Sequence, residues 1–147
     1  MESPFQDRTF MQKALEEAQV ARRQEEIPVG AIIVCRGRII ARAHNMTETL
    51  NDPTAHAEMQ AITSACYTLG GKYLDQCTLY VTLEPCPMCA GALAWAQLGR
   101  LVYAASDPKR GFTLVPGSLL HPKTKVTPGV LSAEAGELIK DFFAGKR

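Results

Sequence analysis

No apolar run in this chain approaches the length of about 20 residues that a membrane-spanning helix needs, so no span is expected. The opening stretch from Met1 to Asp7 has neither a basic region nor an apolar one, so no signal peptide is expected. Charge of neither sign is in excess: the net charge is +1, and the total does not announce a nucleic-acid binder. The five cysteines are an odd number, which a disulfide framework would leave unbalanced, so the expectation is a reduced, cytoplasmic chain. Internal repeats, linkers and low-complexity segments are also missing. What is present is 147 residues, 46% of them hydrophobic, enough for one domain, 1–147, with a real core.

The most informative stretch runs from Thr82 to Cys89 and is read together with His56-Ala57-Glu58. Cys86 and Cys89 lie three positions apart, so one helical turn brings both sulfurs toward a single point. Two thiolates and an imidazole make three zinc ligands, and three ligands with an open fourth position is the pattern of a catalytic site. Glu58 then offers the carboxylate that hydrolytic zinc chemistry needs.

Around these residues the chain alternates helices and strands. Phe10, Met11, Ala14, Leu15, Ala18 and Ala21 predict an amphipathic helix from about Asp7, a plausible N-cap, to Gln24. Val29–Cys35 and Arg38–Ala43, joined by Arg36-Gly37, predict a β-hairpin with Asn45 at its mouth. Asp52 or Thr54 starts a second helix that ends at Gly70-Gly71 and carries His56 and Glu58 in its first turn. Cys77–Leu83 reads as a buried strand, and Cys86-Pro87 opens a helix to about Leu98. Leu101–Ala105 is a further strand. Residues 106–128 are mostly loop, with a turn of helix at Ser118–Leu120, and Val126–Leu131 is a last strand. Ser132 caps a final helix. This order is that of an α/β sandwich, helices over a mixed sheet.

The pieces have plainer readings. A lone histidine is more often a hydrogen-bonded residue than a ligand, and a first-turn Glu often serves only the helix dipole. A Cys-x-x-Cys at a strand-to-helix junction could be a redox pair, though that leaves His56 and Glu58 unexplained. A closed structural zinc site, as in a non-catalytic RNA-binding module, would need a fourth ligand from Cys35, Cys66, Cys77, His44 or His121. The three cysteines fall in apolar contexts and read as core. One geometric difficulty stands: on an ideal helix His56 and Glu58 point about 200° apart. A basic run of Arg100, Lys109, Arg110, Lys123 and Lys125 opposed only by Asp107 reads as a solvated face or as a phosphate-binding one.

His56-Ala57-Glu58 followed by Pro85-Cys86-Pro87-Met88-Cys89 resembles the signature of the zinc-dependent cytidine deaminase superfamily. The similarity is closer to its bacterial tRNA adenosine deaminase branch. It extends through Ile27–Ala31, Asp52–Glu58, Leu79–Cys86, Met88–Ala92, the Asp107-x-Lys109-x-Gly111 stretch and the Phe142-Phe143 tail. The resemblance implies a cytidine-deaminase-like three-layer α/β/α sandwich with a central mixed five-stranded sheet. It also implies a homodimer and one Zn2+ per subunit. The implied reaction is deamination of adenosine to inosine at the wobble position of a tRNA anticodon stem-loop, releasing ammonia. His56, Cys86 and Cys89 would ligate the metal, and Glu58 would shuttle protons. Asn45 would hydrogen-bond the flipped base, Pro28, Val29, Ala57, Leu83 and Pro85 would line its pocket, and Asp107 and Lys109 would sit near the RNA backbone. A superfamily enzyme acting on free guanine, cytosine or cytidine is the alternative. The chain departs from the family's best-known members in a shorter Gly111–Gly129 segment.

Overall fold

A computed structural model describes residues 3–146; the parts of the terminal readings that concern Met1, Glu2 and Arg147 lie outside them. The first helix, α1, spans Pro4–Arg23. It begins earlier than the apolar pattern indicates, because Ser3 and Gln6 form a reciprocal capping box and Pro4 takes the first helical position. Asp7 is therefore no cap. It is buried inside the helix, where its carboxylate accepts a hydrogen bond from the Tyr80 hydroxyl (2.7 Å) and a two-pronged pair from Arg100 (2.8 and 2.7 Å).

Strands β1 (Gly30–Cys35) and β2 (Arg38–His44) form the expected hairpin. Arg36 and Gly37 both take positive φ, 53° and 77°, as a two-residue turn matched to strand twist requires. Helix α2 (Ala57–Leu69) closes on Gly70 at φ 70°. Strand β3 (Cys77–Leu83) leads to helix α3 (Pro87–Trp95), strand β4 (Arg100–Ala105), strand β5 (Lys125–Thr127) and helix α4 (Ser132–Ala144).

The sheet order is β2-β1-β3-β4-β5. The two pairs made by β1 are antiparallel, and β3–β4 and β4–β5 are parallel, so the five-stranded sheet is mixed. Strand alternation feeds two cores. Ala31, Ile33, Leu79 and Val81 pack with Ala57, Ala61, Ala65 and Leu93 of α2 and α3. Ile32, Val34, Tyr80 and Val102 pack with Met11 and Ala14 of α1 and Ala135 of α4. The result is the three-layer α/β/α sandwich. Gly30 shows how closely α1 lies on it: a Cβ there would overlap the carbonyl of Ala14.

Several boundaries differ from the sequence reading. Asp52 caps a turn at Thr54 rather than a helix, which starts three residues later. Ser118–Leu120 is not helical, and the short helical turn is a 3-10 segment at Phe112–Leu114. Helix α3 ends at Trp95, and β5 is only three residues. Ser132 is the first helical residue of α4, and Leu131 precedes it in the left-handed conformation (φ 58°).

Candidate active site

His56 is the N-cap of α2, and Cys86 is the N-cap of α3. Both have extended backbone, φ −68° and −75°, and neither side chain turns back to cap its own helix. The two side chains face each other instead. His56 Nδ1 lies 3.7 Å from Cys86 Sγ and 3.4 Å from Cys89 Sγ. All three donor atoms fall within 4.8 Å of one another, the one such group of three or more His, Cys, Asp or Glu among the described residues. The cap position also removes the angular difficulty between His56 and Glu58. His56 stands outside the helix proper, and only Glu58 lies in its first turn.

Glu58 is 4% exposed and is not a member of the donor group. Burial pushes its carboxyl up to about 7, against the lowering effects of a hydrogen bond to its own backbone and of His56. Cys86 moves the other way. The adjoining Cys89 thiol, helped by the His56 ring, outweighs burial and brings its thiol down to about 4. Cys89 is raised by the same partnership and by burial, and His56 is raised by Cys86. One proton of the sulfur pair thus leaves easily and the other is held.

The group opens into a cavity of about 170 Å3 lined by residues that include Val29, Asn45, His56, Ala57, Glu58, Leu83, Cys86 and Asp107. That is smaller than the roughly 300–1,000 Å3 of typical ligand pockets, so it admits a single ring system and leaves the rest of a large substrate outside. Asn45, 6% exposed, directly follows β2, and its backbone N–H donates to the carbonyl of Val29. Cys89, fully buried, lies behind the wall. Pro28, Pro85 and Lys109 are not lining residues: the two prolines are buried beside the cavity and Lys109 is exposed next to it. Ile27 and Glu84 do line it and are not among the expected site residues, and Arg110, expected only as part of the basic run, lines it as well. Ile27 and Glu84 stand within the stretches that carry the family resemblance, and Arg110 within the basic run, but nothing in their spacing marks them. The run itself divides. Lys123 and Lys125 line a larger cavity, about 900 Å3, with Arg36 of the β1–β2 turn and Arg100 at the start of β4. That is the other end of the sheet, about 20 Å away along β3. Among the described residues no group of three or more possible metal donors lies there.

A family model described as the cytidine and deoxycytidylate deaminase zinc-binding region matches residues 4–105. The chain belongs to this family. A tRNA-specific adenosine deaminase of Bacillus subtilis is 44% identical over 143 residues, 94% of this chain and 89% of the relative. A structure from a study of A-to-I editing by tRNA:A34 deaminases at the wobble position of transfer RNA superposes with TM-score 0.81 at 44% identity, covering 88% of this chain and 98% of that one. Guanine deaminase of Bacillus subtilis is 48% identical with TM-score 0.64, over 67% of this chain and 63% of that one.

The donors in this deaminase fit zinc. Zn–S and Zn–N bonds of ordinary length at a tetrahedral angle place N and S about 3.6 Å apart, and the observed separations are 3.4 and 3.7 Å. Two sulfurs, one of them readily ionised, and one imidazole leave a fourth position free. A thioredoxin-like redox pair would have no use for the histidine that the deaminase fold packs against both sulfurs.

Proposed function

We propose that the chain hydrolyses the exocyclic amine of adenosine at the wobble position of a tRNA anticodon, giving inosine and ammonia. The observation that carries this reading is the histidine–cysteine–cysteine group beside a buried, non-ligating Glu58 in a cavity the size of a single base. The relative that is 44% identical, a tRNA-specific adenosine deaminase, supports the substrate. His56, Cys86 and Cys89 would hold zinc, which when bound lowers the pKa of a water to about 7 and acts as a Lewis acid. Glu58 would take the proton that water loses as its oxygen bonds to C6. The carboxyl would pass that proton to ring N1, where it stays, and then carry the proton of the new C6 hydroxyl to the departing amine. A C–N bond breaks, a C=O bond forms, and ammonia leaves. A carboxyl held near 7 suits both halves of this exchange, since neither protonation state is costly at neutral pH. Asn45 would hydrogen-bond the base, with Val29, Ala57 and Leu83 around it and Pro28 and Pro85 fixing those walls.

A base extruded from a single-stranded loop can reach this cavity while its backbone stays outside. Asp107 and Arg110 in the cavity wall, and Lys109 beside it, would meet that backbone. We further take 1–147 as one deaminase domain, acting in the cytoplasm as a homodimer. The exposed Tyr67, Leu69, Met88 and Trp95 on α2 and α3 support self-association, with Tyr67 and Trp95 more than four-fifths exposed. Among the described residues no helix is long and apolar enough to cross a membrane.

The test offers an anticodon stem-loop, adenosine, guanine and cytidine in parallel and reads deamination by mass spectrometry. Inosine in the stem-loop is the expected result. Turnover of guanine in its place would favour the activity named for the guanine deaminase relative. Stem-loop binding should weaken as salt rises.

A further inference from the structure

Among the described residues three glutamates are buried, Glu26, Glu58 and Glu84. Glu58 is accounted for by the proton transfers. Glu26, fully buried, accepts from the amides of Glu48 and Thr49 and so ties down the loop after Asn45. Glu84, 3% exposed, follows β3 and has no part in the chemistry derived above. Its carboxylate is spent on one loop. Oε1 accepts the amide of Asp107 at 3.1 Å, and Oε2 accepts the amide and hydroxyl of Thr113 at 3.0 and 2.7 Å. Gly111 lies flat against it, and a Cβ there would overlap the carboxylate oxygens.

The order continues outward from this anchor. Asp107 Oδ1 accepts the amides of Lys109 and Arg110, each at 3.0 Å, and the amide of Phe112 donates to the carbonyl of Pro85 at 2.9 Å. The segment from Asp107 to Thr113 is thus wrapped around one buried charge, and Asp107 and Arg110 on it form part of the cavity wall. A buried carboxylate is a poor choice for stability alone, since an apolar side chain avoids the desolvation cost. Three donors from a single loop give it another use, because charge-assisted hydrogen bonds fix geometry.

We propose that Glu84 is a positioning residue for the nucleic-acid substrate: it holds the Asp107–Thr113 loop, and through it Arg110, in the shape that receives the backbone of the extruded nucleotide. This rests on the RNA reading given above. Glu84 acts on how the substrate is held and leaves the proton transfers to Glu58.

The test uses the zinc-loaded full chain and an anticodon stem-loop. Glu84→Gln puts an amide donor against one of the loop's own donors. KM should rise about tenfold or more, with kcat within about threefold and zinc content unchanged. Thr113→Val removes one donor from an exposed position and should raise KM about threefold. It carries the test if Glu84→Gln fails to fold. Because Glu84 works through the loop, Glu84→Gln combined with Arg110→Ala should be scarcely worse than Arg110→Ala alone. Unchanged KM, a joint loss of kcat and zinc, or full additivity of the two substitutions would each overturn the proposal. Hydrogen exchange reads the anchor without any substrate. The amides of Asp107 and Thr113 should exchange faster in the Glu84 or Thr113 variant, and unchanged protection would also overturn it. A wild-type chain inactive on the stem-loop, with those amides deprotected as expected, would reject the RNA reading and leave the anchor standing.

Discussion

The five cysteines divide into two regions that share an element and almost nothing else. Cys86 and Cys89 sit at the start of a helix with an imidazole against them, and the first of them ionises near 4. Cys35 and Cys77 are register partners on β1 and β3, with Cys66 close by on α2. There, burial and the neighbouring Cys35 thiol push Cys77 up to about 12, and burial raises Cys66 as well. In both regions two sulfurs lie close together. The difference is in what faces them. The Cys89 thiol and a histidine favour the Cys86 thiolate, whereas burial in a strand interior favours the Cys77 thiol.

The largest effect should come from erasing one side of that contrast. Cys86→Ala removes the readily ionised donor, so the purified protein should lose its zinc and turnover should fall below detection. Zinc per chain, measured by inductively coupled plasma mass spectrometry, decides it, and full occupancy would remove Cys86 from the ligand set. Glu58→Gln sharpens the comparison by sparing the sulfurs. Zinc and fold should persist while kcat drops on the order of 10³-fold, the scale of a lost general acid and base. Near-normal turnover would mean the proton path runs elsewhere.

How much of this was legible beforehand follows the range of the interactions. Local chemistry could be read directly: the Arg36-Gly37 turn, the Gly70 cap, and the spacing of Cys86 and Cys89 all act over a few residues. Asp7 was misread as a cap because its true partners, Tyr80 and Arg100, are distant in the chain and meet it only across the folded sheet. The start of α2 was placed too early because Asp52 and Thr54 satisfy each other in a turn that looks like a cap. Glu84 stands within the stretch that carries the resemblance, but its anchoring role left no trace there, since its donors arrive from Asp107 and Thr113 in a loop without periodicity. The basic run looked continuous, yet β5 carries Lys125 to the opposite end of the sheet from Arg110. The zinc group was readable because its bonding rules are stricter than those of any loop.

With the metal removed, the contrast can be read without turnover. In chelated protein at pH 6, iodoacetamide should alkylate Cys86, whose thiol has ionised above about 4, and should spare Cys77, which stays protonated until about 12. Peptide mapping by mass spectrometry separates the two. Equal labelling would show that the electrostatic difference between the regions has been overstated.

The mildest change probes the quieter region. Cys77 is 2% exposed and packs among Leu74, Leu79 and Leu98, with the Cys35 thiol beside it. Cys77→Ala removes one sulfur from that apolar cluster and leaves a void smaller than a deleted leucine would. Urea denaturation should show a loss of about 1 kcal/mol, while zinc content, kcat and KM stay at their wild-type values. A fall in zinc would mean that this sulfur reaches the metal, and the division of the cysteines into a core set and a chemical set would not hold.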